Sequence, residues 1–187
     1  MRSALLSINP KWCLQIAKRK KTVEVRKTRP KADTPFKVYI YCTKGKKSEL
    51  LKYNSWFANG RIIGEFTCDR IDEYETEFYP GDDLYQDISL VRESCFDDEK
   101  EYVIVTSNDR DDPNNCSICK DSCLSFDEIK KYVGAGSERF FGWHISDLIL
   151  YDQPKKLSEL CKFTKHKDGF ELEQIERAPQ SWCYLKK

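Results

Sequence analysis

Hydrophobic and polar positions near the start of the chain predict a strand followed by a helix. The apolar run at residues 4–8 is typical of a buried strand. Asn9 and Pro10 then predict a helix over residues 10–20, because asparagine caps helices and proline is tolerated in the first turn. The apolar side of this helix holds Trp12, Cys13 and Ile16.

Strict alternation of apolar and polar residues follows at residues 22–26. It places Val23 and Val25 on one side of a strand and Glu24 and Arg26 on the other, as expected of a half-buried strand. Branched and aromatic residues predict further strands, which cover residues 36–42, 61–68, 140–145, 148–151 and 181–185.

Helical signals are fewer than strand signals. Ser125 with Glu128 three residues later is a capping-box pattern that predicts a helix to about Val133, and residues 48–57 also have a helical pattern. Strands do not alternate regularly with helices, which favours a mixed α+β barrel over a parallel doubly wound sheet. We expect a single domain over residues 1–187 with a long, acidic and partly mobile insertion at about 72–122.

Charge is segregated along the sequence, although the net charge is only +1. Residues 1–50 hold 14 Lys or Arg against three acids, a balance of +11, whereas residues 65–112 hold four against 17, a balance of −13. The basic stretch predicts a surface that attracts phosphate-bearing partners. The acidic stretch either neutralises the basic one or docks a basic protein partner.

Nine cysteines occur without a secretory signal, and no apolar run is long enough to span a membrane. We therefore expect a cytoplasmic protein with reduced thiols or metal-ligating cysteines. Cys116, Cys119 and Cys123 have ligand-like spacing, and a zinc site would need a fourth ligand from elsewhere in the chain. An unmetallated or redox-active cluster is the alternative.

Several motifs resemble those of ASCH domains. The opening pair is formed by residues 6–10 and 21–26, and later matches lie at residues 60–66, 142–148 and 178–184. The resemblance, which is to bacterial and phage-associated proteins, implies a PUA-like mixed β-pseudobarrel with flanking helices. It also implies RNA or nucleotide binding, and in some relatives hydrolysis of modified nucleosides.

Lys21, Glu24 and Arg26 carry the most specific part of this resemblance. Lys21 fits the lysine of acetylcytidine amidohydrolases, but Glu24 occupies the position of their threonine. A carboxylate acts as an acid or base and is a poor substitute for a hydroxyl nucleophile. Glu65 is a candidate second carboxylate if burial raises its pKa. A structural ion pair between Glu24 and Arg26 is the alternative.

Two hypotheses follow for function. In the first, a basic cleft binds RNA or a nucleotide, with contacts from Lys18, Arg19, Lys20, Lys21, Arg26, Trp12, Trp143 and His144. In the second, Lys21 and Glu24 form the working pair of a small amidohydrolase or ribonuclease. The tryptophans have core packing as their alternative role, and His144 has a structural one.

Overall fold

The computed structural model describes residues 3–46, 58–78, 86–93, 100–103, 116–134, 139–166 and 169–186. The predicted helix at residues 48–57 lies outside these ranges. The chain forms two compact units: unit 1 comprises residues 1–20, 32–69 and 145–187, and unit 2 comprises residues 21–31 and 70–144.

The described residues form mostly strands. The strands are β1 (Ser3–Ile8), β2 (Val23–Arg26), β3 (Phe36–Cys42), β4 (Arg61–Cys68), β5 (Ile71–Phe78), β6 (Gln86–Glu93), β7 (Lys100–Val103), β8 (Arg139–His144), β9 (Ser146–Lys155), β10 (Cys161–His166), β11 (Gly169–Gln174) and β12 (Trp182–Leu185). The helices are α1 (Pro10–Ala17), α2 (Ser117–Ser122) and α3 (Phe126–Val133), with a 3-10 turn at Leu157–Glu159. The predicted α+β class is confirmed.

Unit 1 contains a five-stranded sheet in the order β12-β1-β3-β4-β9 and the separate hairpin β10-β11. β1 and β3 pair in parallel, and the other neighbours are antiparallel. The Asn9 side chain accepts a hydrogen bond from the backbone N–H of Lys11, as the sequence predicted for the start of α1. Cys13 and Ile16 of α1 are buried, whereas Trp12 is half-buried.

Unit 2 contains an antiparallel five-stranded sheet in the order β2-β8-β5-β6-β7. Val23, Val25, Tyr74 and Phe140 of this sheet form a core with apolar side chains of α2 and α3, among them Ile118, Ile129 and Val133. Gly142 permits this close packing, since a Cβ there would lie 2.9 Å from Val23 Cγ1 and 3.0 Å from Tyr74.

One expectation about unit 2 is wrong. All four residues of β2 are buried, so the strand is not half-buried as its alternation suggested. The predicted acidic insertion contains most of β5 and all of β6, β7 and α2 within its described residues. The high density of acids concealed β5, in which Glu73 and Glu75 occupy alternate positions as in an ordinary strand.

None of the described helices is long and apolar enough to cross a membrane.

Candidate functional site

Lys21, Glu24 and Arg26 form one bonded set in unit 2. Lys21 Nζ lies 3.2 Å from Glu24 Oε2, and Arg26 Nη2 lies 2.9 Å from Glu24 Oε1. The three residues are only 2%, 7% and 5% exposed, respectively. A single carboxylate is therefore shared by two buried cations, which we call the Glu24 network.

Local structure explains how this network is held. Glu24 lies opposite Trp143 of β8, and Arg26 lies opposite Phe141, so the register of β2 fixes both side chains on one face of the sheet. Lys21 Nζ also donates to the carbonyl oxygen of Ser122 at the end of α2, over 2.7 Å. A cation at a helix C-terminus is favourable because the last carbonyls carry partial negative charge.

Burial limits what the Glu24 network can do. The Lys21 and Arg26 side chains are 1% and 7% exposed, so a phosphate would reach them only after a structural rearrangement. The arrangement matches the structural ion pair that the sequence left as an alternative. It also places an ammonium and a carboxylate in contact, as the hydrolase hypothesis requires.

The basic residues before Lys21 are arranged differently. Lys18, Arg19 and Lys20 are exposed and form the turn that ends α1; we call residues 18–20 the basic turn. The backbone N–H groups of Arg19 and Lys20 donate to the carbonyls of Ile16 and Gln15, which is the Schellman pattern of helix termination. Arg19 has φ 57°, in the left-handed region where glycine is favoured.

The tryptophans Trp12, Trp143 and Trp182 differ in burial and in the side chains that they contact. Trp143 is fully buried, so its ring has no accessible face for stacking in this structure, and core packing is its observed role. Trp12 is half-buried, and Lys11 Nζ lies 3.9 Å from its ring centroid. Trp182, half-buried in unit 1, makes an edge contact with Tyr184 at 5.1 Å between ring centroids.

His144 has partners that sequence reasoning missed. Its Nε2 lies 2.7 Å from Asp72 Oδ2, and Arg70 Nε lies 3.1 Å from Asp72 Oδ1. Arg70 and Asp72 belong to the acidic stretch, and no local spacing links them to His144. The pairing of β5 with β8 brings the three together.

Glu65 belongs to unit 1 and is bound by two donors. Lys37 Nζ and the Tyr151 hydroxyl each lie 2.5 Å from one of its carboxylate oxygens. Burial acts to raise the pKa of Glu65, but the hydrogen bonds from Lys37 and Tyr151 outweigh it and leave the pKa below its ordinary value. Glu65 therefore lacks the raised pKa that a role as general base would require.

The three clustered cysteines are not grouped as metal ligands within the part of the chain that the structure describes. Across the described ranges, no three His, Cys, Asp or Glu side chains are placed to hold a metal ion, although Cys116, Cys119 and Cys123 are all described. Cys123 ends α2 in a left-handed conformation. Cys116 and Cys119 are buried together in the core of unit 2, where the hydrogen bond from Cys119 lowers the pKa of the Cys116 thiol to about 7.

Solved structures of the ASCH protein from Zymomonas mobilis are similar to this chain. A serine-to-alanine variant gives a TM-score of 0.56 at 18% identity, covering 99% of this chain and 89% of that chain. A tyrosine-to-phenylalanine variant gives 0.52 at 16% identity, with 100% and 92% covered. The ASCH protein itself gives 0.50 at 17% identity, with 99% and 88% covered.

Sequence comparison adds nothing to this likeness. No family model matches the chain, and no curated protein matches it. The structural likeness nevertheless extends over nearly the whole length of both proteins. The chain therefore has the fold of the ASCH structures.

Proposed function

We propose that this protein binds RNA and that the basic turn makes the principal phosphate contacts. The observation that carries the proposal is the conformation of Arg19, an exposed arginine with φ 57°. The three consecutive cations of the turn are all exposed, whereas Lys21 and Arg26 are buried. We therefore assign the phosphate contacts to Lys18, Arg19 and Lys20, which are the exposed cations among the residues predicted to bind RNA.

Backbone energetics support a role for the Arg19 side chain. A non-glycine residue in the left-handed region costs about 1 to 2 kcal/mol because its Cβ approaches the following carbonyl oxygen. Glycine at the end of α1 would avoid this cost. A strained residue that also presents a guanidinium to solvent is consistent with selection for the charge.

The Glu24 network has a supporting part in this proposal. Lys21 and Glu24 are bonded to each other, and Lys21 is also bonded to the end of α2. These contacts fix the start of β2, directly after the basic turn in sequence. We therefore propose that the Glu24 network positions the start of β2 and does not contact phosphate.

Replacing Arg19 with glycine separates binding from folding. We expect Arg19→Gly to weaken binding of a labelled single-stranded RNA several-fold while thermal stability stays equal or rises. Fluorescence anisotropy and thermal unfolding provide the two readouts. Arg177→Gln is the control, because Arg177 is an exposed arginine elsewhere in unit 1. Unchanged affinity in Arg19→Gly, or an equal loss in the control, would exclude the basic turn as the contact.

A hydrolase is the second candidate function, and the 3.2 Å contact between Lys21 Nζ and Glu24 favours it. A buried ammonium and carboxylate in contact provide a donor and an acceptor for proton transfer. Acylated nucleosides and short RNAs would be the substrates to test. Product detected by mass spectrometry with the wild type and with Lys156→Ala, at an exposed position of unit 1, but not with folded Lys21→Ala, would support catalysis. No product from any substrate of this panel would count against it.

A further inference from the structure

A second group of exposed cations occurs in unit 2. Lys27, Arg29 and Lys31 follow β2, whereas Lys130 and Lys131 lie in the last turn of α3, and all five are exposed. Within the described part of the chain, none of the five makes an ion pair. Their charge is therefore available to a partner.

The exposed ring of Tyr132 in α3 lies close to Lys27, which follows β2. Tyr132 is 38% exposed, and Lys27 Nζ lies 5.5 Å from its ring centroid. Lys27 also reaches the end of α3, because a Cβ placed on Gly134 would lie 3.8 Å from its Nζ. Lys27, directly after β2, and residues 130–134 at the end of α3 therefore share one surface, which we call the Tyr132 surface.

The ring is presented by a well-anchored helix. Ile129 and Val133, which flank Tyr132 in α3, are 0% and 3% exposed in the core of unit 2. The N-terminus of α3 is held by a reciprocal capping box, in which Ser125 Oγ accepts from Glu128 N–H over 3.1 Å. A ligand that stacks on Tyr132 would therefore meet a ring whose backbone is already ordered.

We propose that the Tyr132 surface binds single-stranded RNA, with one base stacked on Tyr132 and the flanking phosphates contacted by lysine and arginine side chains. An aromatic platform among unpaired cations is the arrangement by which proteins hold single strands without reading their sequence. Lys27, whose Nζ lies over the ring, contributes its cation–π contact there and its charge to the strand. This inference rests on the proposed RNA-binding function and adds a contact surface distinct from the basic turn.

An anionic membrane surface is the competing partner for exposed cations. The strength of membrane binding by a peripheral surface increases with the apolar area that it buries as well as with its charge. Among the residues of unit 2 whose side-chain burial the structure describes, Tyr132 is the large hydrophobic side chain that is exposed. A single ring suits one stacked base better than insertion into a bilayer.

The test uses the full-length protein and a labelled oligouridine of about 12 nucleotides. We expect Tyr132→Leu to weaken binding about tenfold, because the substitution keeps an apolar side chain but removes the stacking face. Phe170→Leu is the matched control, since Phe170 is an exposed aromatic residue of unit 1. Lys131→Gln should weaken binding less and should lower the salt dependence of the affinity.

Ultraviolet crosslinking to the same oligouridine locates the contact directly. We expect the adduct on the peptide that contains Tyr132, and its loss in Tyr132→Leu. If Arg19→Gly binds RNA with normal affinity while Tyr132→Leu binds more weakly, the result supports the Tyr132 surface as an RNA contact and excludes the basic turn. Equal affinity of Tyr132→Leu and wild type would overturn the inference. So would stronger binding to vesicles containing phosphatidylserine than to the oligouridine.

Discussion

At the scale of single residues, Glu24 has the most consequential contacts, because it is bonded to two buried cations. Glu24→Gln removes the charge that compensates both of them. Breaking a buried ion pair from one side costs about 3 to 5 kcal/mol, so we expect a loss of this size in the free energy of unfolding, measured by urea denaturation. Glu176→Gln, at an exposed position, should change it by less than about 0.5 kcal/mol. A Glu24→Gln variant as stable as wild type would show that the network contributes nothing.

Glu65 provides a prediction about pH. Its folded-state pKa is lowered, so the stabilisation from its charge is present above the unfolded pKa of about 4.3 and is lost as pH falls through the folded value. The difference in unfolding free energy between wild type and Glu65→Gln should be constant near neutral pH and shrink on acidification. Glu171→Gln, at an exposed position of β11, is the control substitution. A difference that grows on acidification would contradict the assigned direction.

The contacts of these residues differ in how far the sequence predicts them, and the reason is physical. Glu24 and Arg26 are two positions apart on one strand, so their proximity follows from strand periodicity. Ser122, which accepts from Lys21, lies 101 residues further along the chain. The partners of Glu65 and His144 are similarly distant and depend on sheet pairing. Sequence therefore indicates which side chains are candidates but not what surrounds them.

At the scale of elements, helix α3 shows how a local capping signal contributes to stability. Its capping box, recognised in the sequence, is formed in the structure by Ser125 and Glu128. Ser125→Ala leaves the Glu128 N–H without this acceptor, and we expect it to cost about 1 kcal/mol in thermal or chemical unfolding. Ser117→Ala, at an exposed position in the first turn of α2, serves as the control. Equal stability of the two variants would contradict the importance of the cap.

Elements with strong local signals were predicted well, and those defined by pairing were not. Helix α1 and strands β3 and β4 agree with their predicted positions because caps and branched residues mark them. β5 and β6 were missed because their many charged residues resemble a loop, although pairing with β8 places β5 inside a sheet. The hairpin β10-β11 was missed as well.

At the scale of the whole molecule, charge segregation remains the main indication of nucleic-acid binding. The described acids of the acidic stretch are partly compensated within unit 2. Arg139 pairs with Glu73 and Glu75, and Arg70 pairs with Asp72. This compensation disfavours a protein partner at β5, and such a partner stays a prediction. Deleting roughly residues 81–115 would test autoinhibition, which requires the RNA affinity to rise.

The salt dependence of RNA binding by the full-length protein tests the central claim most directly. The logarithm of the association constant should fall linearly with the logarithm of salt concentration, with a slope near −0.7 per contacted phosphate for a single strand. Three or more contacts from the basic turn and the Tyr132 surface predict a slope of about −2 or steeper, and a Lys18→Gln/Lys20→Gln variant should have a shallower one. Absence of binding at low salt, or a slope that the double substitution leaves unchanged, would contradict the account.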